Sequence, residues 1–371
     1  MKLSELETPR LVLDAARMEA NVARLKAHLA TLGARLRPHV KTCKSIEVAR
    51  GLMEGPSGPI TVSTLKEAEQ FLAHGVTDIL YAVGIAPGKL EHVAALRRRG
   101  ADLAVVVDSV EAAQAVAAKQ AGIPALIEID CDGHRAGVRP GAALLVDIAR
   151  ALAAGAEPRG VMTHAGDSYN CRTVAAIAAM AGQERRAVVE SAAVLRAAGF
   201  AAPVVSVGST PTATFARDLA GVTEVRAGVF VFQDLVMAGL GVCAVEDIAL
   251  SVLATVIGHQ REKGWIITDG GWMAMSRDRG TQRQPVDQGY GLVCDEAGAV
   301  IGDLVVSDAN QEHGIVSRRG GGALDTAAYP VGTRLRILPN HACATAAQFD
   351  AYHVVRGGTA VVDCWPRFGG W

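Results

Sequence analysis

The sequence predicts an α/β chain, a parallel eight-fold β/α barrel followed by an all-β C-terminal domain. Between residues 36 and 230, short β-branched runs alternate eight times with amphipathic helical stretches, and eight is the number of parallel strands that closes a barrel. Past residue 245 the helical period gives way to alternating strands joined by Gly-rich turns. Half of the residues are apolar but only 4% are aromatic, which favours Ala-, Val- and Leu-rich strands under helices over an aromatic-rich sandwich.

The chain opens with one strand, RLVLD (10 to 14), and one helix (16 to 32) ahead of the barrel. The barrel strands read LRPHVK (36 to 41), ITVST (60 to 64), DILYAV (78 to 83), DLAVVVD (102 to 108), ALIEID (125 to 130), GVMTHAG (160 to 166), PVVSVGST (203 to 210) and EVRAGVF (224 to 230). Between them, stretches such as LKEAEQFLAHG place apolar residues at i, i+3 and i+4 and end on glycine, which accepts the left-handed C-cap. The tail, from DIALSVLATVIGHQ to AYHVVRGGTAVVDCW, is all strand and turn. This divides the chain into a barrel domain over 1–242 and a β domain over 243–371.

The 37 Lys and Arg residues nearly balance 38 Asp and Glu, for a net charge of −1, so the chain lacks the basic excess that holds nucleic acid or an anionic membrane. No apolar run of about 18 residues occurs, so neither a signal peptide nor a membrane anchor is expected. The seven cysteines include no CxxC pair and are expected as free thiols in a reducing, cytoplasmic compartment. Six of them read as packing residues.

A barrel gathers its chemistry at the C-terminal ends of its strands. There the sequence places Lys41, Ser63, Thr64, Asp108, Asp130 with His134 and Arg135, His164, Gly208-Ser209-Thr210, and Arg226 with Gly228. At Lys41, desolvation and neighbouring cations would favour the neutral amine, a Schiff-base nucleophile. Lys44 reads as a surface lysine. The turn VSVGSTPTA offers backbone N–H groups and hydroxyls to a phosphate, Gly208 permits close approach, and RAGV after the eighth strand completes a barrel phosphate site. A phosphate site opposite a Schiff-base lysine describes pyridoxal 5'-phosphate.

In the β domain, LPNHACATAAQFD sets His341 and Cys343 two residues apart, on one face of an extended segment. Such a pair suits Zn²⁺ or another borderline-soft ion, although a buried His beside a small buried Cys is its commoner meaning. Two protein ligands would leave the open positions that a catalytic metal needs. Glu312 and His313 in ANQEHG read as a polar turn or as groups behind the metal. SRDRGTQRQ (276 to 284) reads as an exposed mobile loop at a subunit or substrate edge.

Taken in order, TPRLVLD, RPHVKTCKS, TVSTLKEAE, IEIDCDGHRAGV, THAGDSY, VSVGSTPTA, EVRAGVFVF, DGGWMAMSRDRG, NQEHG and PNHACAT resemble the metal-activated, fold-type III pyridoxal-phosphate enzymes of D-3-hydroxy amino acids, which begin with an alanine-racemase-like barrel. The motifs span essentially the whole chain. The resemblance implies that Lys41 carries the cofactor, that Arg135 approaches its phenolic oxygen and that His164 approaches the ring or substrate. It places Tyr169 in the cofactor site, Gly208, Ser209, Thr210 and Gly228 on the phosphate, and Arg226 beside the pyridine nitrogen. His341 and Cys343 would ligate a divalent metal, Zn²⁺, Mn²⁺, Co²⁺ or Mg²⁺.

The implied reaction is water elimination. Lys41 takes the α-proton and the metal activates the β-hydroxyl, so that 3-hydroxyaspartate gives oxaloacetate and ammonia, or D-serine gives pyruvate and ammonia. His-x-Cys, where aldolases of the group often carry His-x-Asp, favours elimination over the runner-up, cleavage to glycine and an aldehyde as in a D-threonine aldolase. Two more activities are compatible with the same barrel: an amino-acid racemase with Tyr290 as second base, and a non-catalytic pyridoxal-phosphate carrier, against which the long β domain argues. The expected form is a homodimer acting on a small-molecule D-hydroxy amino acid.

Overall fold

Seventeen strands in two sheets organise the computed structural model, which describes residues 1–371. The first, β1 (Arg10–Asp14), belongs to the larger sheet. The next eight are β2 (Arg35–Pro38), β3 (Ile60–Val62), β4 (Asp78–Gly84), β5 (Asp102–Val107), β6 (Pro124–Ile129), β7 (Glu157–Thr163), β8 (Val204–Val207) and β9 (Glu224–Ala227). They run parallel in the order β2-β9-β8-β7-β6-β5-β4-β3. A single bridge, His39 to Thr61, with the Val40 amide donating to the Thr61 carbonyl at 2.9 Å, links the two ends and nearly closes the barrel.

All eight expected barrel strands are present, and most of them stop short of the expected end. At β2 the ladder passes from β9 to β3 within two residues, because the His39 amide donates to Ala227 and the Val40 amide to Thr61. Lys41, Thr64, Asp108, Asp130, His164 and Gly208 therefore lie just beyond the strands. Side-chain N-caps pin several of the helices that follow. Thr64 accepts from the Glu67 amide at 3.0 Å, Ser109 from Ala112 at 3.2 Å and Ser209 from Thr212 at 3.2 Å.

Inside the barrel, Leu80, Ala104, Val106, Leu126 and Met162 make an apolar cluster. The β2, β9 and β8 side is polar and buried. Arg37 donates to Glu224 at 2.6 Å and to Asp78 at 2.7 Å, Ser206 donates to Glu224 at 2.7 Å, and Arg226 donates to Ser206 and to the Thr163 carbonyl. A cavity of about 230 Å³ opens at the N-terminal ends of the strands, lined by Arg37, Asp78, Asp102, Glu157, Arg159 and Glu224 among others. That end of a barrel carries stability, whereas function belongs to the other.

The second sheet is formed by β1 with β10 (Leu250–Gln260), β11 (Trp265–Thr268), β12 (Gly291–Cys294), β13 (Val300–Ala309), β14 (Gly314–Arg318), β15 (Arg334–Pro339), β16 (Ala351–Val355) and β17 (Val361–Pro366). β10 pairs with both β15 and β11, so the six strands from β10 to β15 close into an antiparallel barrel. β1 runs antiparallel to β10 and parallel to β16, and extends that sheet.

The compact units are therefore discontinuous: Met1–Ala23 with Val229–Arg367, and Arg24–Gly228 with Phe368–Trp371. This differs from the expected division at residue 242. The strand at 10–14 finds its partners in the β unit, and Leu235 is buried there with Ile248, Leu292, Cys294, Val305 and Leu338. All seven cysteines are free, but the expectation that six serve packing fails at Cys364, which is exposed. No helix is long and apolar enough to cross a membrane.

Candidate active site

β2 ends at Pro38, and after the bridge at His39 the chain turns, the Lys44 amide donating to the Val40 carbonyl at 2.8 Å, so Lys41 sits on a turn just beyond the strand. Lys41 is exposed, just past the closing bridge. Lys44, expected at the surface, instead pairs with the buried Glu67 at 3.3 Å and is largely covered. Burial pushes the His39 imidazole well below its ordinary range, and the charges of Lys41 and Arg226 reinforce the shift. His39 Nδ1 and Thr61 Oγ1 are both buried without a hydrogen-bond partner.

His164 Nδ1 lies 2.8 Å from the Gly208 carbonyl. A carbonyl only accepts, so Nδ1 carries the proton and Nε2 keeps the lone pair. Burial pulls His164 down to about 4; the Gly208 bond opposes this, while Lys41, Arg135 and Arg226 add to it. The ring is therefore neutral near pH 7. The Tyr169 ring sits 6.4 Å away, tilted by 45°, and Arg135 donates to Glu128 at 3.3 Å with its head mostly exposed.

At the end of β8, Gly208 has φ +150°, and a Cβ there would stand 1.8 Å from the Arg226 carbonyl oxygen. Only glycine fits. Its amide is not available to a phosphate as expected, because it donates to Glu184 at 3.0 Å; Glu184 also accepts from the Ala165 amide at 3.1 Å. The Ser209 hydroxyl is likewise shared with Ser168 and Thr212. Thr210 begins the helix Thr210–Phe215 and is buried. A Cβ on Gly228 would meet Thr42 Oγ1 at 2.9 Å, so this glycine lets the loop bearing Lys41 approach the end of β9. Arg226 is buried; burial pulls its guanidinium down, and Glu224 and Glu184 pull it back.

These groups fit pyridoxal phosphate. Lys41, Arg135 and Arg226 add positive charge around the buried His164, and positive charge there suits a dianionic phosphate and a phenolate. An unpartnered imidazole nitrogen and hydroxyl lie on the two segments beside the lysine.

In the β unit, the expected extended segment at His341 is instead the start of a short helix, Ala342–Ala346, with His341 as its N-cap residue. The run ACATA has the propensity for helix, and three contacts hold it. The buried Asp234 accepts from the Ala342 amide at 3.0 Å, Thr345 donates to the Met275 carbonyl at 2.7 Å, and Asn340 Nδ2 donates to the Gly289 carbonyl at 2.8 Å. His341 and Cys343 are nonetheless in hydrogen-bond contact.

Asp278 Oδ2 lies 2.6 Å from His341 Nδ1. Burial alone would lower His341, but Cys343, Asp278 and Asp234 outweigh it and push it up to about 11. The pair fits a divalent ion: an imidazole nitrogen and a thiol sulfur in reach of one another, in a negative field, with a carboxylate behind the imidazole. No group of three His, Cys, Asp or Glu side chains converges anywhere in the chain.

The structure thus gathers Lys41, Arg135, His164, Tyr169, Gly208, Ser209, Thr210, Arg226 and Gly228 in the barrel unit, and His341 with Cys343 in the β unit. Sequence reasoning missed His39, Glu184, Asp234 and Asp278. Glu184 could have been found, since it falls on the buried stripe Ile177, Ala181, Glu184, Val188 of its helix. Asp278 lay in the segment expected to be a mobile loop, whereas Ser276 and Thr281 there are buried. Glu312 and His313 lie in the tight turn between β13 and β14, where the Asn310 amide donates to the His313 carbonyl.

Comparison with known proteins adds to this geometry. The family model of the alanine racemase N-terminal domain matches residues 13–235, and that of a serine dehydratase domain matches residues 249–355. The D-threo-3-hydroxyaspartate dehydratase of Delftia sp. (strain HT23) is 57% identical over 100% of this chain and 99% of its own length. Solved variants of a D-threo-3-hydroxyaspartate dehydratase, one histidine-to-alanine and one cysteine-to-alanine in the metal-free form, superpose with TM-scores of 0.97 and 0.96 at 55% and 56% identity. They cover 100% of this chain and 97% and 100% of theirs. Their substituted positions lie two residues apart, as His341 and Cys343 do. The D-threonine aldolase of Arthrobacter sp. is 31% identical over 98% of this chain and 92% of its own.

Proposed function

The chain belongs to the alanine racemase N-terminal domain family, and from that premise we propose that it is a lyase dependent on pyridoxal phosphate and a divalent metal. It eliminates water from D-threo-3-hydroxyaspartate to give oxaloacetate and ammonia, with D-serine as a lesser substrate giving pyruvate and ammonia. The observation that carries this reading is the His341–Cys343 pair backed by Asp278, in a chain 57% identical end to end to a dehydratase of that substrate.

When bound, pyridoxal phosphate supplies an electron sink at the substrate α-carbon, and the metal supplies Lewis acidity at the β-hydroxyl. The protein supplies the rest. Lys41 would hold the cofactor through Nζ, and the same amine is the base that would take the α-proton. Neutral His164, with its lone pair on Nε2, accepts a hydrogen bond from cofactor or substrate. Arg226, locked by Ser206 and Thr163, is donor-only and would keep a ring nitrogen placed beside it unprotonated. Arg135 would face the phenolic oxygen, and the turn Gly208-Ser209-Thr210 with Gly228 would take the phosphate, with Tyr169 nearby, although the Gly208 and Ser209 amides already donate to Glu184 and Thr212. His341 Nε2 and the Cys343 thiolate would hold the metal, for which a nitrogen and sulfur set favours Zn²⁺ over Mg²⁺. Seven free thiols support a cytoplasmic setting, and a homodimer is the assembly this reading carries.

The test supplies purified protein, loaded with cofactor and metal, with D-threo-3-hydroxyaspartate, D-serine and D-threonine in turn. Ammonia and 2-oxo acid from the first two, abolished by a chelator, are expected. The 31% identical D-threonine aldolase supports a second reading, cleavage to glycine and an aldehyde. Glycine without ammonia would establish it instead.

A further inference from the structure

The segment after the short helix Trp272–Met275 carries a feature that neither the fold nor the metal pair requires. Ser276 has φ 74° and ψ 163°, a region nearly confined to glycine, where a side-chain-bearing residue persists only if its surroundings hold it there. They do so here. Ser276 is buried, its amide donates to the Trp272 carbonyl at 2.8 Å, and its hydroxyl accepts from the Asp278 amide at 3.1 Å. This hook fixes the next two residues. Asp278 goes to His341. Arg277 lies with its guanidinium 4.6 Å from the centre of the Trp272 ring, exposed and without an ion-pair partner. Arg279, by contrast, is neutralised by Asp287 at 2.8 Å. A guanidinium held over a ring face and without an ion-pair partner keeps N–H donors open to a bidentate carboxylate.

We propose that Arg277 reads the distal carboxylate of the substrate and so sets the preference for a dicarboxylic over a monocarboxylic 3-hydroxy amino acid. The proposal rests on the dehydratase reading above. In 3-hydroxyaspartate one carbon carries both the hydroxyl and the distal carboxylate, so the group that reads the carboxylate must stand beside the group that engages the hydroxyl. Arg277 directly precedes the residue that orients His341. D-serine has a hydrogen where that carboxylate would be, and offers Arg277 nothing to bind.

The experiment compares loaded wild type, Arg277→Ala and Arg277→Lys with both substrates. Calorimetric titration with malate, which carries a hydroxyl and a carboxylate on one carbon and no amine, gives a readout independent of turnover. In Arg277→Ala, kcat/KM for D-threo-3-hydroxyaspartate falls roughly 30- to 150-fold, chiefly through KM, and malate affinity falls in parallel, while D-serine stays within about threefold. Arg277→Lys and added guanidinium restore part of the loss. Equal losses on both substrates, or unchanged malate affinity, would overturn the proposal and leave the dehydratase reading standing. A wild-type protein that eliminates water from neither substrate would sink both.

Discussion

A carboxylate only accepts hydrogen bonds, so the 2.6 Å contact of Asp278 Oδ2 with His341 Nδ1 keeps the proton on Nδ1 and leaves Nε2 as the nitrogen that would give up its proton to a metal. Asp278→Ala should therefore weaken metal binding by about 10- to 100-fold, with Asp278→Asn in between, measured by competition with a chromophoric chelator. Equal affinity in all three proteins would contradict this role. In the barrel unit, His39 and His164 are both held below the ordinary histidine value. The unfolded chain then binds more protons than the cofactor-free fold between the unfolded value, 6.5, and about 4 for His164. Stability present above pH 6.5 should be lost as the pH falls toward 4. The melting temperature of the cofactor-free protein should drop across that window, and His164→Gln should flatten the drop; a profile unchanged by that substitution would count against it. His164 and His341 were legible in the sequence, whereas Asp278 and His39 were not. A polar run such as SRDRGTQRQ looks like solvated loop until the Ser276 hook turns it back on His341.

Elements were more legible than the residues that support them. Eight alternating runs sufficed for the barrel because burial on both faces writes itself as continuous apolar strand, and β2 to β9 stand where those runs fall. Strand ends were less so. Where the ladder changes partner, as at His39 and Val40, nothing in the composition marks it. The helix at Ala342–Ala346 was legible in its alanines, but was overshadowed by the spacing of His341 and Cys343. The turn after β8 makes a test at this scale. Gly208→Ala places a methyl 1.8 Å from a backbone oxygen at φ +150°, which forces β8 away from β9 and displaces both the turn proposed to take the phosphate and the Gly208 carbonyl that holds His164. Thermal melting should show a clear loss of stability, and equilibrium dialysis a loss of cofactor retention. A variant that melts and binds like wild type would show that the turn has slack which the close contact denies.

For the molecule as a whole, the first strand belongs to the β unit, which no local pattern in RLVLD announces, because only pairing with β10 and β16 decides it. The two sets of site residues fall in different units, and the proposed reaction gives them different tasks: proton transfer and cofactor retention for the barrel residues, activation of the hydroxyl for the metal pair. Removing the metal should therefore abolish water elimination while leaving the fold and the cofactor in place. The most direct measurement is a product analysis on D-threo-3-hydroxyaspartate with wild type and Cys343→Ala, each with its metal content determined. The expected result is one ammonia per oxaloacetate from the metal-loaded wild type, and neither product from the metal-depleted Cys343→Ala protein with its cofactor absorbance intact. Glycine and glyoxylate without ammonia, or undiminished ammonia release from Cys343→Ala, would contradict this division of tasks.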